Sequence, residues 1–270
     1  MTRSAPKLLE MIAALVATPS VSSTQDDLDQ GNRAVIDLLA NWLDALGFSV
    51  QVLPLSGQAG KANLIATLGD GPGGLVLSGH ADTVPCNPEL WRSDPFQLTE
   101  RDGRLHGLGT ADMKSFFALA IEAALDFTAR PLSRPLTILA TADEECSMAG
   151  AKALVEAGRP RGDCAVIGEP TGLKPVRMHK GIMMEAVTVY GRGGHSSDPS
   201  LGVNALEVMA RIIDRLLAWR HQLQTDHRNG AFAVPVPTMN FGHIHGGDSP
   251  NRICPECRMF FDLRTLPGMD

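Results

Sequence analysis

Residues 75–82 read Leu75-Val76-Leu77-Ser78-Gly79-His80-Ala81-Asp82, an apolar run of strand length that ends in His-x-Asp. Three other segments place acidic residues in comparable positions. Leu136 to Ala140 reads as a short buried strand that runs through Thr141-Ala142-Asp143 into Glu144-Glu145, and Cys164-Ala165-Val166-Ile167-Gly168 leads into Glu169-Pro170. Gly107-Leu108-Gly109-Thr110-Ala111-Asp112-Met113-Lys114 sets an aspartate in a glycine-bearing loop just before an apolar helical run. Short apolar runs bounded by turn residues read as buried strands. In an open α/β sheet, ligands bind beyond the carboxyl ends of the strands. Four such ends carrying His, Asp and Glu are what a single cluster at one sheet edge requires.

Working outward, Leu8–Ala17 repeats its apolar residues at helical spacing, interrupted by Glu10, and reads as an amphipathic helix and not a signal peptide. Asn32–Leu46 reads as a helix closed by Gly47. Ser49–Leu53 and Asn63–Leu68 read as strands, with a turn over 69–74 before the next one. Ser115–Phe127 and Ala149–Ala157 complete the helices of this part. Strands separated by helices predict an α/β domain with a mixed, mostly parallel sheet flanked by helices, over residues 1–181. From about residue 182 the pattern changes. Met184–Tyr190 alternates, Leu201–Leu223 carries the stripe Leu206, Met209, Ile213, Leu216 and Leu217, and Thr238–His243 and Arg258–Leu263 are strand candidates. A smaller α+β domain over 182–270 follows.

Composition narrows the function. The chain of 270 residues is 44% hydrophobic and 20% charged, values of a folded globular chain. Its formal charge is −6, with no Lys/Arg cluster and only 5% aromatics, which makes nucleic acid and anionic membrane poor partners. Five scattered cysteines do not form a disulfide framework, and no apolar run approaches a membrane span. A cytoplasmic protein is expected.

One histidine with several carboxylates is a ligand set for Zn²⁺, Co²⁺ or Mn²⁺. There are more carboxylates than one tetrahedral ion uses, so a pair of ions about 3.5–4 Å apart, bridged by a carboxylate and a water, is expected. Asp82 is placed to accept the second N–H of His80 and fix its tautomer. The adjacent Glu144 and Glu145 divide the work, one holding metal and the other taking a proton. Each segment alone has a plainer reading. His-x-Asp is commonly an incidental loop hydrogen bond, Glu-Glu a solvated helix start, and Glu-Pro a turn. Their repetition at four strand or loop ends is what favours a joint site.

His80-Ala81-Asp82-Thr83-Val84-Pro85, Gly107 to Lys114, Asp143-Glu144-Glu145, Ile167-Gly168-Glu169-Pro170-Thr171 and Gly194-His195-Ser196-Ser197 together resemble the di-zinc aminoacylase/carboxypeptidase family. The resemblance extends over essentially the whole chain. It implies a zinc-peptidase-like catalytic domain, a smaller lid and dimerisation domain, and two zinc ions per subunit, with Co²⁺ or Mn²⁺ as substitutes. By this resemblance His80 and Glu169 hold one zinc, Asp112 bridges both, and Glu145 holds the second. Glu144 is the general base and Asp82 orients His80. His195 matches a histidine that in relatives reaches the partner subunit's site and stabilises the oxyanion. Asn251 and Arg264 match substrate-contacting positions, and Arg264 with Arg252 is expected to grip an α-carboxylate. The implied reaction is hydrolysis of the acyl amide of a small N-acyl amino acid by a metal-bridging water, in a homodimer. The alternatives are another acyl-amino-acid or dipeptide substrate, or a catalytically silent chain that binds or dimerises.

Family members run past the point where this chain stops, and the added segment carries a last histidine ligand. The expectation is therefore a fragment or truncated product, with the C-terminal part of the catalytic domain absent and full activity lacking. His243-Ile244-His245 sets two imidazoles on one strand face, a metal-capable pair that the resemblance assigns to the substrate side or to structure. Cys254-Pro255-Glu256-Cys257 has CxxC spacing, but without a second pair or a redox βαβ context it reads as strand entry.

Overall fold

The computed structural model describes residues 5–25 and 27–269. In chain order the first unit contains α1 (Leu8–Ala17), α2 (Arg33–Ala45), β1 (Ser49–Pro54), β2 (Ala62–Leu68), β3 (Leu75–His80), β4 (Thr99–Arg101), β5 (Arg104–His106), α3 (Ser115–Thr128), β6 (Leu136–Thr141), α4 (Ala149–Glu156) and β7 (Cys164–Ile167). The second contains β8 (Gly181–Tyr190), β9 (Gly194–His195), α5 (Ala205–Asp226), β10 (Thr238–Gly246), β11 (Arg252–Ile253) and β12 (Glu256–Thr265). The units change over between Leu173 and Lys174, ahead of the residue-182 boundary expected from the change in pattern. The segment 174–180 has no strand periodicity of its own, so patterning alone does not assign it to either side.

The main sheet runs β1-β2-β6-β3-β7. It is mixed: β6, β3 and β7 are parallel, and β2 and β1 join antiparallel beyond β6. Period-2 alternation assigns the two faces. Leu64, Ala66, Ile138 and Ala140 point to the side covered by α1, α2 and α3, where Leu15, Ile36, Leu39, Phe117 and Ile121 are fully buried. Ile65, Val76 and Leu139 point to the opposite side and meet Leu154 of α4. The apolar spacing of α2, with Val35, Ile36, Leu39, Trp42 and Leu43 buried, is one helical face on that core. Gly47, at φ +87, supplies the left-handed residue that turns the chain into β1. β7 is exposed along its length.

Because β6, β3 and β7 are parallel, their carboxyl ends share one edge. His80 pairs in register with Thr141, and Ser78 with Ile167. This puts the segments after Thr141 and Ile167 beside His80 before any side-chain contact is considered.

In the second unit β10-β12-β8 form an antiparallel sheet packed on α5. The buried set is Ala205, Met209, Cys254, Cys257 and Met259, flanked by Ile212, Ile213 and Leu216. The helix therefore faces its sheet through 205, 209, 212/213 and 216, while Leu206 and Leu217 of the expected stripe are exposed. The helix also starts later than Leu201. Pro199–Leu201 form a 3₁₀ turn, Gly202 is extended, and the Asn204 side chain caps the helix by accepting from the Leu206 N–H. All five cysteines are free. The β4–β5 hairpin and the short β9–β11 pair have no counterpart among the strands read from sequence, since three-residue and two-residue strands are too short to show a period.

Candidate metal centre

His80 ends β3 with 2% of its surface exposed. Its Nδ1 lies 3.0 Å from the main-chain oxygen of Asp82. A carbonyl oxygen only accepts, so Nδ1 carries a proton and donates. Nε2 faces the acidic groups: Asp112 Oδ1 at 3.0 Å, Glu169 Oε1 at 3.7 Å and Glu144 Oε2 at 4.0 Å. Two overlapping groups have ligand atoms that all lie within 4.8 Å of one another, His80–Glu144–Glu169 and His80–Asp112–Glu145. The first unit thus brings together every residue proposed from sequence as a metal ligand, along with Glu144.

Glycine makes the convergence geometrically feasible. Gly79 and Gly168 directly precede the ligands His80 and Glu169. A Cβ on Gly168 would lie 2.1 Å from the Phe116 ring, and one on Gly79 would lie 2.8 Å from Met113 Cε. Two residues without side chains let the start of α3 lie against the strand ends, and this delivers Asp112 to His80.

The Asp82 carboxylate does something other than expected. Its nearer oxygen is 3.7 Å from His80 Nδ1, beyond hydrogen-bond reach. Instead its two oxygens accept the main-chain N–H groups of Glu144, at 3.2 Å, and Glu145, at 3.1 Å. The Asp82 main-chain oxygen thus faces the imidazole, and its side chain accepts from the glutamate turn.

The electrostatics are those of anions crowded into partial burial. Burial raises the Glu145 carboxyl, and Asp112 adds to the effect, carrying it to about 7. Burial likewise raises Glu144, with Asp82 and Asp112 adding to it against the opposing pull of His80. Glu169 is raised by burial, Asp112 and Glu144, again against His80. Burial opposes charge on His80, but Asp82, Glu144, Glu169 and Glu145 outweigh it, and the net shift is upward. Lys114, fully buried, is pushed down to about 8 by burial, partly offset by Asp82. Its Nζ donates to the Thr18 carbonyl. A cation would relieve the mutual repulsion of these carboxylates, and one imidazole with carboxylate oxygens is a donor set for a borderline divalent ion. The residues fit.

Behind the glutamate turn lies a charged network that the sequence reading passed over. Lys61 Nζ bonds Asp143 and Asp29, and Asn63 accepts from the Ala142 N–H and donates to the Gly150 carbonyl. The available signal was a lysine and an asparagine at the mouth of an otherwise apolar strand.

The remaining proposed residues belong to the second unit. His195 is exposed, its Nδ1 2.8 Å from the Ser197 hydroxyl, and it pairs in register with Arg252. The Asn251 carbonyl accepts from the Ser196 N–H, and Arg252 pairs with Asp248 at 2.7 Å. His195, Asn251 and Arg252 are therefore neighbours. Arg264 stands apart on β12, bound to Asp262 at 2.9 Å.

A mixed α/β sheet whose parallel strands deliver an imidazole and carboxylates to one edge is the frame of a metal-dependent hydrolase. The chain belongs to peptidase family M20/M25/M40, which matches residues 76–190, and the peptidase dimerisation domain matches residues 177–270. Over 264 residues it is 53% identical to an acetylornithine deacetylase of Pectobacterium carotovorum, covering 98% of this chain and 69% of that protein. An M20 family metallo-carboxypeptidase from Sulfolobus solfataricus superposes with a TM-score of 0.77 at 18% identity, covering 98% of this chain and 72% of the other. A Bacillus subtilis protein described as a dinuclear metal binding peptidase of the M20 family gives a TM-score of 0.58 at 17% identity, over 97% of this chain and 64% of that one. Among the described residues no helix is long and apolar enough to cross a membrane.

Proposed function

We propose that this chain carries the metal-binding part of an enzyme that hydrolyses the acetyl amide of N2-acetyl-L-ornithine to acetate and L-ornithine, a step of arginine biosynthesis. One observation carries the reading: His80, Asp112, Glu144, Glu145 and Glu169 converge at one sheet edge, in a chain 53% identical to a protein named for that substrate.

In this reading His80 and Glu169 would hold one Zn²⁺ and Glu145 a second, with Asp112 as a further ligand to the pair. Co²⁺ and Mn²⁺ would suit the same donors. When bound, the ions supply Lewis acidity, which acidifies water and polarises the acyl carbonyl. Glu144 is half-exposed, within 4.0 Å of His80 Nε2, and has a carboxyl above the usual range. It takes a proton from the attacking water and returns it to the leaving amine. Asp82 holds Glu144 and Glu145 in place by accepting their N–H groups. Residues 182–270 serve as lid and dimerisation unit of a homodimer, and His195 donates to the oxyanion. Asn251 and Arg252 contact the amino-acid part, with Arg252 on its carboxylate, and Arg264, on a different strand, is a second contact to the same substrate.

The test is acetate release by the Zn²⁺- or Co²⁺-loaded chain from N2-acetyl-L-ornithine, beside a panel of other N-acyl amino acids and dipeptides. Slow release that favours acetylornithine at least about tenfold, and that a chelator or Glu144→Gln abolishes, is expected. Equal release across the panel overturns the substrate assignment. Release indifferent to chelator, or a chain that binds no divalent ion, overturns the metal hydrolase reading.

A further inference from the structure

Lysine is almost never buried unless it is paired, yet Lys61 is only 8% exposed at the mouth of β2. Its ammonium donates to Asp29 at 2.9 Å and to Asp143 at 2.5 Å. Asp143 is 2% exposed and sits at φ +61, a left-handed conformation that non-glycine residues rarely adopt and that aspartate tolerates best when its carboxylate is hydrogen-bonded locally. Its other carboxylate oxygen takes the Ser147 hydroxyl, and its carbonyl accepts the N–H groups of Ser147, at 3.2 Å, and Met148, at 2.6 Å.

The next two residues are Glu144 and Glu145. Their N–H groups point at the Asp82 carboxylate and their side chains join the His80 groups. The turn is therefore held from two sides, by Asp82 at the strand edge and by the Lys61–Asp143 pair from β2.

We infer that Lys61 is a positioning residue: by anchoring Asp143 in its left-handed conformation, it aims Glu145 at the second ion and Glu144 at the substrate. The inference rests on the metal hydrolase reading above and extends it to a residue outside the ligand set. Without the ammonium, the Asp143 carboxylate loses the cation facing it. The carboxylate then turns toward water and carries the glutamate turn with it. His80 and Glu169 are held by β3 and by the segment after β7, so the ion they bind is spared.

Stepwise Co²⁺ and Zn²⁺ titration by calorimetry, followed in parallel by Co²⁺ absorption, tests this on the wild-type chain, Lys61→Met and Lys61→Arg. Lys61→Met should weaken the second ion about 10–100-fold and the first by less than about threefold. Lys61→Arg, which keeps the charge, should recover most of the loss. Circular dichroism monitors folding. If Lys61→Met does not fold, Lys61→Gln, which keeps a donor, should show the same split at about tenfold. A variant that leaves the second ion unchanged, or weakens both ions equally as a merely structural lysine would, overturns the inference. A wild-type chain that binds no ion overturns the metal reading as well, whereas two wild-type ions with no split in the variants overturns this inference alone.

Discussion

The two units bury different kinds of residue. Among the described residues every buried polar or charged side chain lies in the first unit, including Lys61, His80, Asp82, Lys114 and Asp143. The second unit buries Ala205, Met209, Cys254, Cys257 and Met259 between α5 and its sheet, a set chosen for packing alone. Burying charge is unfavourable unless each group is paired and hydrogen-bonded. Its concentration in one unit marks where stability has been given up for chemistry. The contrast also separates two kinds of consequence. Damage to the first unit should disturb ions and turn geometry, and damage to the second should disturb packing.

The largest effect is expected at His80, which belongs to both candidate ligand groups. His80→Ala should reduce the affinity for the ion it shares with Glu169 by about 100-fold or more in calorimetric titration, and the affinity for the ion held by Glu145 by less. Retention of the ion shared with Glu169 near its wild-type affinity would remove His80 from the ligand set. Next, Asp143→Ala leaves the buried Lys61 with Asp29 as its one remaining carboxylate partner and should destabilise the first unit by about 2–4 kcal/mol. Hydrogen exchange of the β2 and β6 amides under mild urea reads this loss, and the β12 amides should keep their protection. Met209→Ala is the matching lesion in the second unit. An emptied apolar position should lower protection in β12 by about 2–4 kcal/mol and leave ion affinity untouched. A change in ion affinity there would contradict the division of labour. The smallest effect belongs to Arg33→Ala. Its pair with Asp37 at 2.8 Å joins two half-exposed side chains, and urea unfolding should shift by less than about 0.5 kcal/mol.

Much of this arrangement was legible in the chain. The apolar runs ending in His80, Glu144-Glu145 and Glu169 read as strands of one sheet, and β3, β6 and β7 are those strands. Strands at the centre of a parallel sheet are apolar, so a charged residue at the end of each run stands out against its neighbours; β7 carries the same pattern although it is exposed along its length. Asp112 was legible for the same reason, as an acidic group in a glycine-bearing loop ahead of an apolar helix. The Lys61–Asp143 pair was not. The two residues are 82 positions apart and become neighbours only through the antiparallel pairing of β2 with β6. The face of α5 was half legible. Its apolar residues cover more than one face, and only the sheet opposite selects Ala205 and Met209 over Leu206 and Leu217.

Local patterning is enough to place an imidazole and several carboxylates at strand and loop ends, because hydrophobic period and turn chemistry act over a few residues. It also specifies a sheet with helices on both sides. Partner choice is a different matter. That Asp82 grips the amides of Glu144 and Glu145, and that a lysine from another strand backs the same turn, depends on register and on which groups burial brings within hydrogen-bond reach. Backbone amides look alike in every residue, and burial is a property of the folded whole, so neither relation leaves a mark that can be read along the chain.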